Sequence, residues 1–340
     1  MRYIVEVSNK TAKKIGDLID QGKYESFHDF LLVAVENQLF IESHELGVER
    51  KSEPIKVPAR IGIDQEEPTK VSLDLPGLQT DWGSLKFVEP PNLDSLWSRY
   101  IWGQYNRIFP AKITLRVLAN SLENREWMDL EVLQDKASDI AVKVGPYLRR
   151  VDRKEGRKRW ENLSVGLPRS ARNQGAISRF KLQFVGYKTK QGVLHGLPAS
   201  LGFVHINSGD SSRQDKIGIT EAGAQFAELE NPIMDSDSLE RTLSDDEVAF
   251  YISHIQSNQQ YEMAMIKKVV RAVKDEHTSS GALKSQIATL NDQSWSVSIL
   301  GTMCTGVLSR MRELRIIQMR REGLKSRYML GPNAKMVKTE

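Results

Sequence analysis

Apolar side chains recur at helical spacing near the C-terminal end of the chain. Five of them lie three or four residues apart from one to the next, which predicts an amphipathic helix: Leu300, Met303, Val307, Met311 and Leu314. The sequence RIIQMRREGLKSRYML follows. Its two short alternating runs, joined across Arg321-Glu322-Gly323, predict a β-hairpin.

The other side of this helix is predicted to carry small polar and basic side chains. They are Ser298, Thr302, Thr305, Ser309, Arg310 and Arg312. Hydroxyl and guanidinium groups on a helix surface can contact base edges and phosphates. With the basic hairpin after it, this helix resembles the recognition half of a winged helix-turn-helix domain. The hairpin residues that the resemblance directs to the DNA backbone or minor groove are Arg320, Arg321, Lys325 and Arg327.

At the N-terminal end, a short alternating run precedes two helical patterns. The sequence RYIVEVS predicts a strand with Tyr3, Val5 and Val7 on one face. NKTAKKIGDLIDQG then predicts a helix, and Ser26 begins a second helix as its N-cap. One strand and two helices in about 42 residues bury too little apolar surface to be stable alone. A second copy of the chain is therefore expected to pair with this segment.

Residues 2–42, and QGKYESFHDFLLVAV in particular, resemble the ribbon-helix-helix family. The resemblance implies a homodimer through residues 1–43, in which two paired strands form a ribbon that enters the major groove. It directs Arg2, Ile4 and Glu6 outward, and Ser26 joins them as a candidate DNA contact. Glu6 departs from the polar and basic readers usual in that family, although a Glu side chain can accept from cytosine.

Proline marks the next region. Six of the twelve prolines fall between residues 54 and 91. Because proline fixes φ and removes an amide donor, residues 44–92 are predicted to be a linker. Residues 93–232 then form a second globular region. It opens with an aromatic cluster that is predicted to be core instead of a base-stacking platform: Trp97, Tyr100, Trp102, Tyr105 and Phe109.

Inside this region the patterns predict helices first and strands later. Asp129 is the predicted N-cap of a helix, and Gly145-Pro146 is expected to open or kink a further helix. SRFKLQFVGY and LGFVHI alternate as strands, and IGITEAGAQF predicts a strand that leads into a helix. Residues 109–230 therefore resemble a winged helix with a long basic insertion at 155–180.

Basic side chains are dense at the end of the Asp129 helix and in the loop after it. Eight fall between residues 143 and 160, against only Asp152 and Glu155: Lys143, Arg149, Arg150, Arg153, Lys154, Arg157, Lys158 and Arg159. Such local density is what neutralising DNA phosphates requires. A solvated helix face is the alternative explanation.

An acidic connector is predicted at residues 233–247, followed by a C-terminal winged helix at 248–340. Ser244 and Glu247 have the spacing of a capping box. The fold class expected for the whole chain is α+β and mainly α, with a ribbon-helix-helix segment followed by two winged-helix-like domains.

Composition and motifs limit the kinds of functional site that the sequence supports. The net charge is +4, and no apolar run is long enough for a transmembrane helix. The one cysteine, Cys304, excludes an intramolecular disulfide and is expected to be a buried thiol. No phosphate-binding glycine loop and no metal-ligating histidine spacing occur. We therefore expect a cytoplasmic protein without catalytic residues, metal or cofactor, which is not an enzyme.

These patterns together predict a dimeric, sequence-specific protein that binds double-stranded DNA, most simply a transcriptional regulator. Besides an unrecognised nuclease, which would show Mg²⁺-dependent cleavage, two alternatives remain open at this stage. One is plasmid replication initiation or partition, which also combines tandem winged helices with a dimerising segment. The other is an adaptor subunit of a defence or chromosome-maintenance complex, in which the winged helices contact a protein partner.

Overall fold

The computed structural model describes residues 9–20, 27, 78, 85–90, 100–190, 192–207, 215–236, 238–290, 295–322 and 325–338. These residues are mainly helical with small antiparallel sheets, which confirms the α+β class. The chain divides into two compact units, residues 1–69 and 70–340. None of the helices in the described ranges is long and apolar enough to span a membrane.

The first unit contributes one described helix, α1 (Asn9–Asp20). It coincides with the first helix predicted from the sequence, and Ile15 on its apolar side is buried. The predicted ribbon strand lies outside the described residues, as do Arg2, Ile4, Glu6 and Ser26.

In the second unit, residues 109–228 form what we call the first module. It begins with α2 (Phe109–Ser121), β1 (Met128–Asp129) and α3 (Leu130–Lys154). Next come α4 (Gln174–Phe180), a π-helical segment (Lys181–Val185), β2 (Tyr187–Lys188), β3 (Leu194–His195) and α5 (Leu197–Ser200). The module closes with β4 (Val204–Asn207), β5 (Lys216–Ile219) and α6 (Glu221–Glu228).

Residues 260–330 form the second module, reached through α7 (Asp245–Asn258). Its helices are α8 (Gln260–Lys274), α9 (Ser280–Ala288) and α10 (Val297–Glu313). The predicted hairpin is present as β6 (Ile317–Glu322) and β7 (Lys325–Leu330), and a 3-10 turn (Pro332–Met336) follows. The predicted capping box at Ser244 and Glu247 is confirmed at the start of α7.

The two modules share one chain order and one sheet order. In the first module β1 pairs with β5, and β5 pairs with β4, all antiparallel. In the second module Ser279 forms an antiparallel bridge to Arg327 on β7, and β7 pairs with β6. Each module thus runs helix, edge strand, two helices, and two final strands with the last strand in the middle. The first module adds a β2–β3 hairpin and α5 before its final strands.

The first module differs from the sequence predictions at two places. Residues 174–185 are helical where the alternation of SRFKLQFVGY predicted a strand, because Phe180, Phe184 and Val185 also fit one side of a helix and are buried there. α3 continues through Pro146 instead of starting again. At Gly145 a Cβ atom would lie 2.1 Å from the Pro168 carbonyl oxygen, so glycine allows the following loop to pack against α3.

Among the described residues of the second unit, three buried cations form stabilising ion pairs. The Lys112 ammonium lies 2.9 Å from Glu247, the Arg116 guanidinium donates to both Asp235 oxygens, and Arg310 pairs with Glu262. Buried cations of this kind are tolerated when a carboxylate and further hydrogen bonds accompany them. Asp235 and Glu247 come from the predicted acidic connector, which therefore neutralises cations of α2. Leu78 and Val88, from the predicted proline-rich linker, are also buried.

Candidate nucleic-acid interface

The end of α3 presents cations to solvent. Arg150, Arg153 and Lys154 are exposed there, Arg149 is half-buried, and Lys143, about two turns earlier on α3, is exposed as well. Like charges so close together on one helix end attract an anionic partner.

The neighbouring cations affect the pKa of Arg149. Desolvation first, and then the charges of Arg153 and Arg169, lower the pKa of Arg149. Lys158 and Arg159, in the loop directly after α3, are exposed as well. The run of cations therefore continues from the helix into the loop.

Arg157 has a different role from its neighbours. Its Nη1 donates to Asp152 Oδ1 at 3.2 Å, and its Nη2 donates to the Leu239 carbonyl. The buried Asp152 carboxylate also accepts from the Leu163 and Ser164 amides at 2.9 and 3.1 Å. Arg157 therefore fastens the basic loop to α3, and its predicted contact with DNA stays a prediction.

Arg310 does not face outward as predicted. It is 0% exposed, its Nε and Nη2 each donate to Glu262 at 2.7 Å, and its Nη1 donates to the Tyr105 carbonyl at 2.6 Å. Ser309 beside it is also buried. The C-terminal half of α10 packs against the segment that leads into α2, so both faces of this half-helix are covered. Neither residue can reach DNA from this position.

A close backbone crossing explains this covering. A Cβ atom at Gly306 would lie 2.3 Å from the Gly103 carbonyl oxygen, and one at Gly103 would lie 2.2 Å from the Thr302 carbonyl oxygen. The two glycines thus allow the chain before α2 to cross α10 in direct backbone contact. Glu313 reinforces the contact by accepting from the Ile108 and Phe109 amides at 2.6 and 3.1 Å, at the start of α2.

The N-terminal half of α10 remains accessible. Ser298 and Thr305 are exposed, and Thr302 is half-buried. The Thr302 and Thr305 hydroxyls donate to the carbonyls of Ser298 and Gly301, at 3.1 and 2.9 Å, so their oxygens can still accept. Val297, in the first turn, is 79% exposed, the largest value among the exposed large apolar side chains of the described residues.

The hairpin carries its cations toward its tip. Arg320, Arg321 and Lys325 are exposed. Arg327 is half-buried, donates to Thr278 Oγ1 at 3.2 Å and lies 3.6 Å from Glu322. Arg327 therefore supports the bridge between Ser279 and β7 in addition to any role at the surface.

The two basic segments meet at Trp160. The Arg321 guanidinium carbon lies 5.6 Å from the centre of the Trp160 ring, and the Lys158 ammonium also lies 5.6 Å from it. Cations at this distance are attracted by the negative face of an indole ring. The end of α3, the loop after it and the hairpin tip thus form what we call the basic surface: Arg149, Arg150, Arg153, Lys154, Lys158, Arg159, Trp160, Arg320, Arg321 and Lys325.

Several polar residues were not foreseen from the sequence. Arg172, two residues before α4, is exposed, as are Gln174 and Ser178 within it. Asn173 caps this helix by accepting from the Ala176 amide at 3.0 Å. The Asn173 cap signal in RSARNQGAISR could have revealed this helix. Arg107 lies outside the basic runs, and no local signal marked it.

The described residues offer little for metal or thiol chemistry. No group of three or more His, Cys, Asp or Glu side chains is placed to hold a metal ion in the described ranges. Cys304 is buried as predicted, and burial raises the pKa of its thiol to about 12.

Comparison with known proteins does not place the chain. No family model, no curated protein and no solved structure matches it.

Proposed function

We propose that the protein binds double-stranded DNA as a homodimer, in the manner of a transcriptional regulator. The observation that carries the proposal is the contact of Arg321 with Trp160. It brings two basic segments, far apart in the sequence, into one surface. In the described part of the chain, no carboxylate lies within ion-pair distance of seven cations of this surface: Arg150, Arg153, Lys154, Lys158, Arg320, Arg321 and Lys325. Unneutralised cations at this density favour a polyanionic partner.

The repeated topology supports the same proposal. A winged helix has the order helix, edge strand, two helices and two-stranded hairpin. Both modules follow this order, with the Ser279 bridge as the edge element of the second. On this assignment α10 is the recognition helix of the second module and α4 occupies the equivalent position in the first. α10 exposes Ser298 near its N-terminal end and α4 exposes Gln174 at its first position, and the N-terminal ends of recognition helices contact base edges.

Dimerisation belongs to the proposal through residues 1–43. The amphipathic helix α1 within this segment supports a role in packing. Two subunits related by a two-fold axis would bind a pseudo-palindromic site.

The proposal is tested by fluorescence anisotropy of labelled duplex DNA at several salt concentrations, followed by footprinting. We expect the logarithm of the association constant to fall linearly with the logarithm of salt, at a slope of about −0.9 per phosphate contacted. We also expect two protected half-sites related by a two-fold axis. Weak binding that is insensitive to salt, together with co-purification of a protein, would favour the adaptor function instead.

A second candidate is plasmid replication initiation or partition. The duplicated module favours this candidate, because two DNA-binding modules in one chain can bind adjacent repeats of a DNA sequence. Cooperative binding to iterated repeats, in preference to a single palindrome, would select this candidate over a promoter-bound regulator.

A further inference from the structure

Two arginines at the contact between the modules lack a neutralising carboxylate. Arg107 is 7% exposed, and its Nη2 donates to the Trp160 carbonyl at 3.4 Å. Arg312 is half-buried, and its Nη2 donates to Ser309 Oγ at 3.3 Å. The Nε atom of each is buried without an acceptor among the described residues. Within the same ranges, neither guanidinium has an ion-pair partner.

The other buried cations of the same unit show what is missing. Lys112, Arg116 and Arg310 each lie against a carboxylate, at 2.9, 2.5 and 2.7 Å. A buried guanidinium without a counter-charge loses hydration that no ion pair replaces. Arg107 and Arg312 are therefore exceptions within their own fold.

The nearest carboxylates are already occupied by other donors. Glu313 and Asp152 are close enough to raise the pKa of Arg107, against the lowering caused mainly by burial. Yet Glu313 accepts from two amides at the start of α2 and from Thr242 Oγ1 at 3.1 Å. Asp152 accepts from Arg157 and two loop amides. Neither carboxylate forms an ion pair with Arg107.

Further donors belong to residues that contact Arg107 or neighbour its contacts. The Trp160 indole Nε1 is buried without an acceptor in the described part of the chain, and the Trp160 ring holds Lys158 and Arg321 at 5.6 Å. Arg312 Nη1 lies 4.0 Å from Met319 Sδ. Met319 precedes Arg321 by two residues on β6 and so shares its face of the strand.

Like charges are close together here. Burial, followed by the charge of Arg107, lowers the pKa of Arg312 to about 10. An anion between these groups would relieve the repulsion and supply the missing acceptors.

We propose that Arg107, Lys158, Trp160, Arg312 and Arg321 form a binding site for a phosphate oxyanion, carried by the DNA backbone or by a free phosphate-bearing ligand. Guanidinium groups present N–H donors in a geometry that matches phosphate oxygens, and an indole N–H can only donate. The four cations also supply the charge that a phosphate needs. The site goes beyond the proposed function, since it would exist in a protein that never contacted DNA.

The first experiment uses the full chain and inorganic phosphate without DNA. Thermal unfolding is followed in sodium phosphate and in sodium chloride at equal ionic strength and pH. For wild type at tenfold the dissociation constant, phosphate raises Tm by about 2–5 °C relative to chloride. Arg312→Gln loses at least about tenfold in phosphate affinity, whereas the matched variant Arg125→Gln, at an exposed arginine outside both the site and the basic surface, keeps the wild-type shift. Equal shifts in wild type and Arg312→Gln would overturn the proposal, as would the absence of a phosphate-specific shift in wild type.

A second measurement does not depend on how well Arg312→Gln folds. Trp160→Phe keeps an aromatic ring for Lys158 and Arg321 but lacks the indole donor. The fluorescence difference between wild type and Trp160→Phe reports Trp160 alone, and it should titrate with phosphate and not with chloride. A difference signal that ignores phosphate would count against the site.

The source of the phosphate is decided with DNA. If the backbone supplies it, phosphate competes with DNA and Arg312→Gln lowers the salt slope by about one. If a free ligand supplies it, Arg312→Gln loses phosphate binding at unchanged DNA affinity. A protein that binds phosphate but no DNA would refute the proposed function and leave this site intact.

Discussion

Arg310 and Glu262 form a buried bidentate ion pair, with Nε–Oε1 and Nη2–Oε2 distances of 2.7 Å and both side chains 0% exposed. Arg310 also donates to the Tyr105 carbonyl, in the segment that leads into the first module. The pair therefore joins α8 to α10. Through Tyr105 it also attaches α10 to the segment that leads into the first module.

Removing one partner of this pair should destabilise the fold instead of only weakening DNA binding. For Arg310→Ala we expect a loss of about 3–5 kcal/mol in the free energy of unfolding, because Glu262 is left buried and unpaired. Urea denaturation measures it. The double variant Arg310→Met/Glu262→Leu should lose less than the single one, and the exposed Arg320→Ala should change stability by less than about 0.5 kcal/mol. A single variant as stable as wild type would contradict the structural role.

The glycine crossing predicts opposite effects at two glycines of α10. Gly306→Ala should destabilise by about 1–3 kcal/mol or more, since its Cβ would meet the Gly103 backbone, which cannot move aside like a side chain. Gly301→Ala is the matched control, because its Cβ would meet only the Lys284 Nζ at 3.4 Å. It should stabilise by about 0.5–1 kcal/mol through higher helix propensity. Shifts of the denaturation midpoint with the same sign in both variants would refute the crossing.

The buried thiol of Cys304 predicts a loss of stability at alkaline pH. Burial raises its pKa from 9.0 to about 12, so the folded state keeps a proton that the unfolded state releases. The free energy of unfolding should fall as pH rises above about 9, at up to about 1.4 kcal/mol per pH unit from this group. Between pH values of about 8 and 10, wild type should therefore lose about 1 kcal/mol more than Cys304→Ala. Parallel pH profiles for the two proteins would contradict this burial.

The exposed Val297 predicts a thymine contact under the proposed function. Apolar side chains read the 5-methyl group of thymine in the major groove, and Val297 leaves 79% of its surface open to such a contact. Val297→Ser should leave the unfolding free energy within about 0.5 kcal/mol of wild type. Thymine is replaced by uracil at one position at a time. At one position the replacement should weaken DNA binding by wild type and leave DNA binding by Val297→Ser unchanged. A variant with the wild-type uracil profile would exclude the contact.

Local signals in the sequence were enough to predict much of the second module and the start of α7 before it. The stripe from Leu300 to Leu314, the Ser244 capping box and the alternation around Arg321-Glu322-Gly323 each specify structure over a few residues, and the helix, the cap and the hairpin followed. The same periodicity does not say which tertiary neighbour covers the other side of a helix. Arg310 was placed outward for that reason, although Glu262 and Tyr105 enclose it.

The basic surface was predicted only in part for the same reason. Charge density marked α3, its loop and the hairpin separately, but no sequence pattern shows that Trp160 joins them. The role of Arg157 depends on Asp152 and on the Leu239 carbonyl, far along the chain. Two winged-helix-like domains were expected, but their shared strand order was not, because it depends on strand pairing and not on repeated residues.

DNA binding by the basic surface is tested most sharply by the salt dependence of a variant without the hairpin cations. In Arg320→Gln/Arg321→Gln/Lys325→Gln, the slope of log association constant against log salt should be shallower by about 0.9 for each phosphate that the variant no longer neutralises. Tm should stay close to that of wild type, because these side chains are exposed. We expect a shallower slope and a weaker complex from a folded protein. A slope and an affinity equal to those of wild type would contradict binding through this surface.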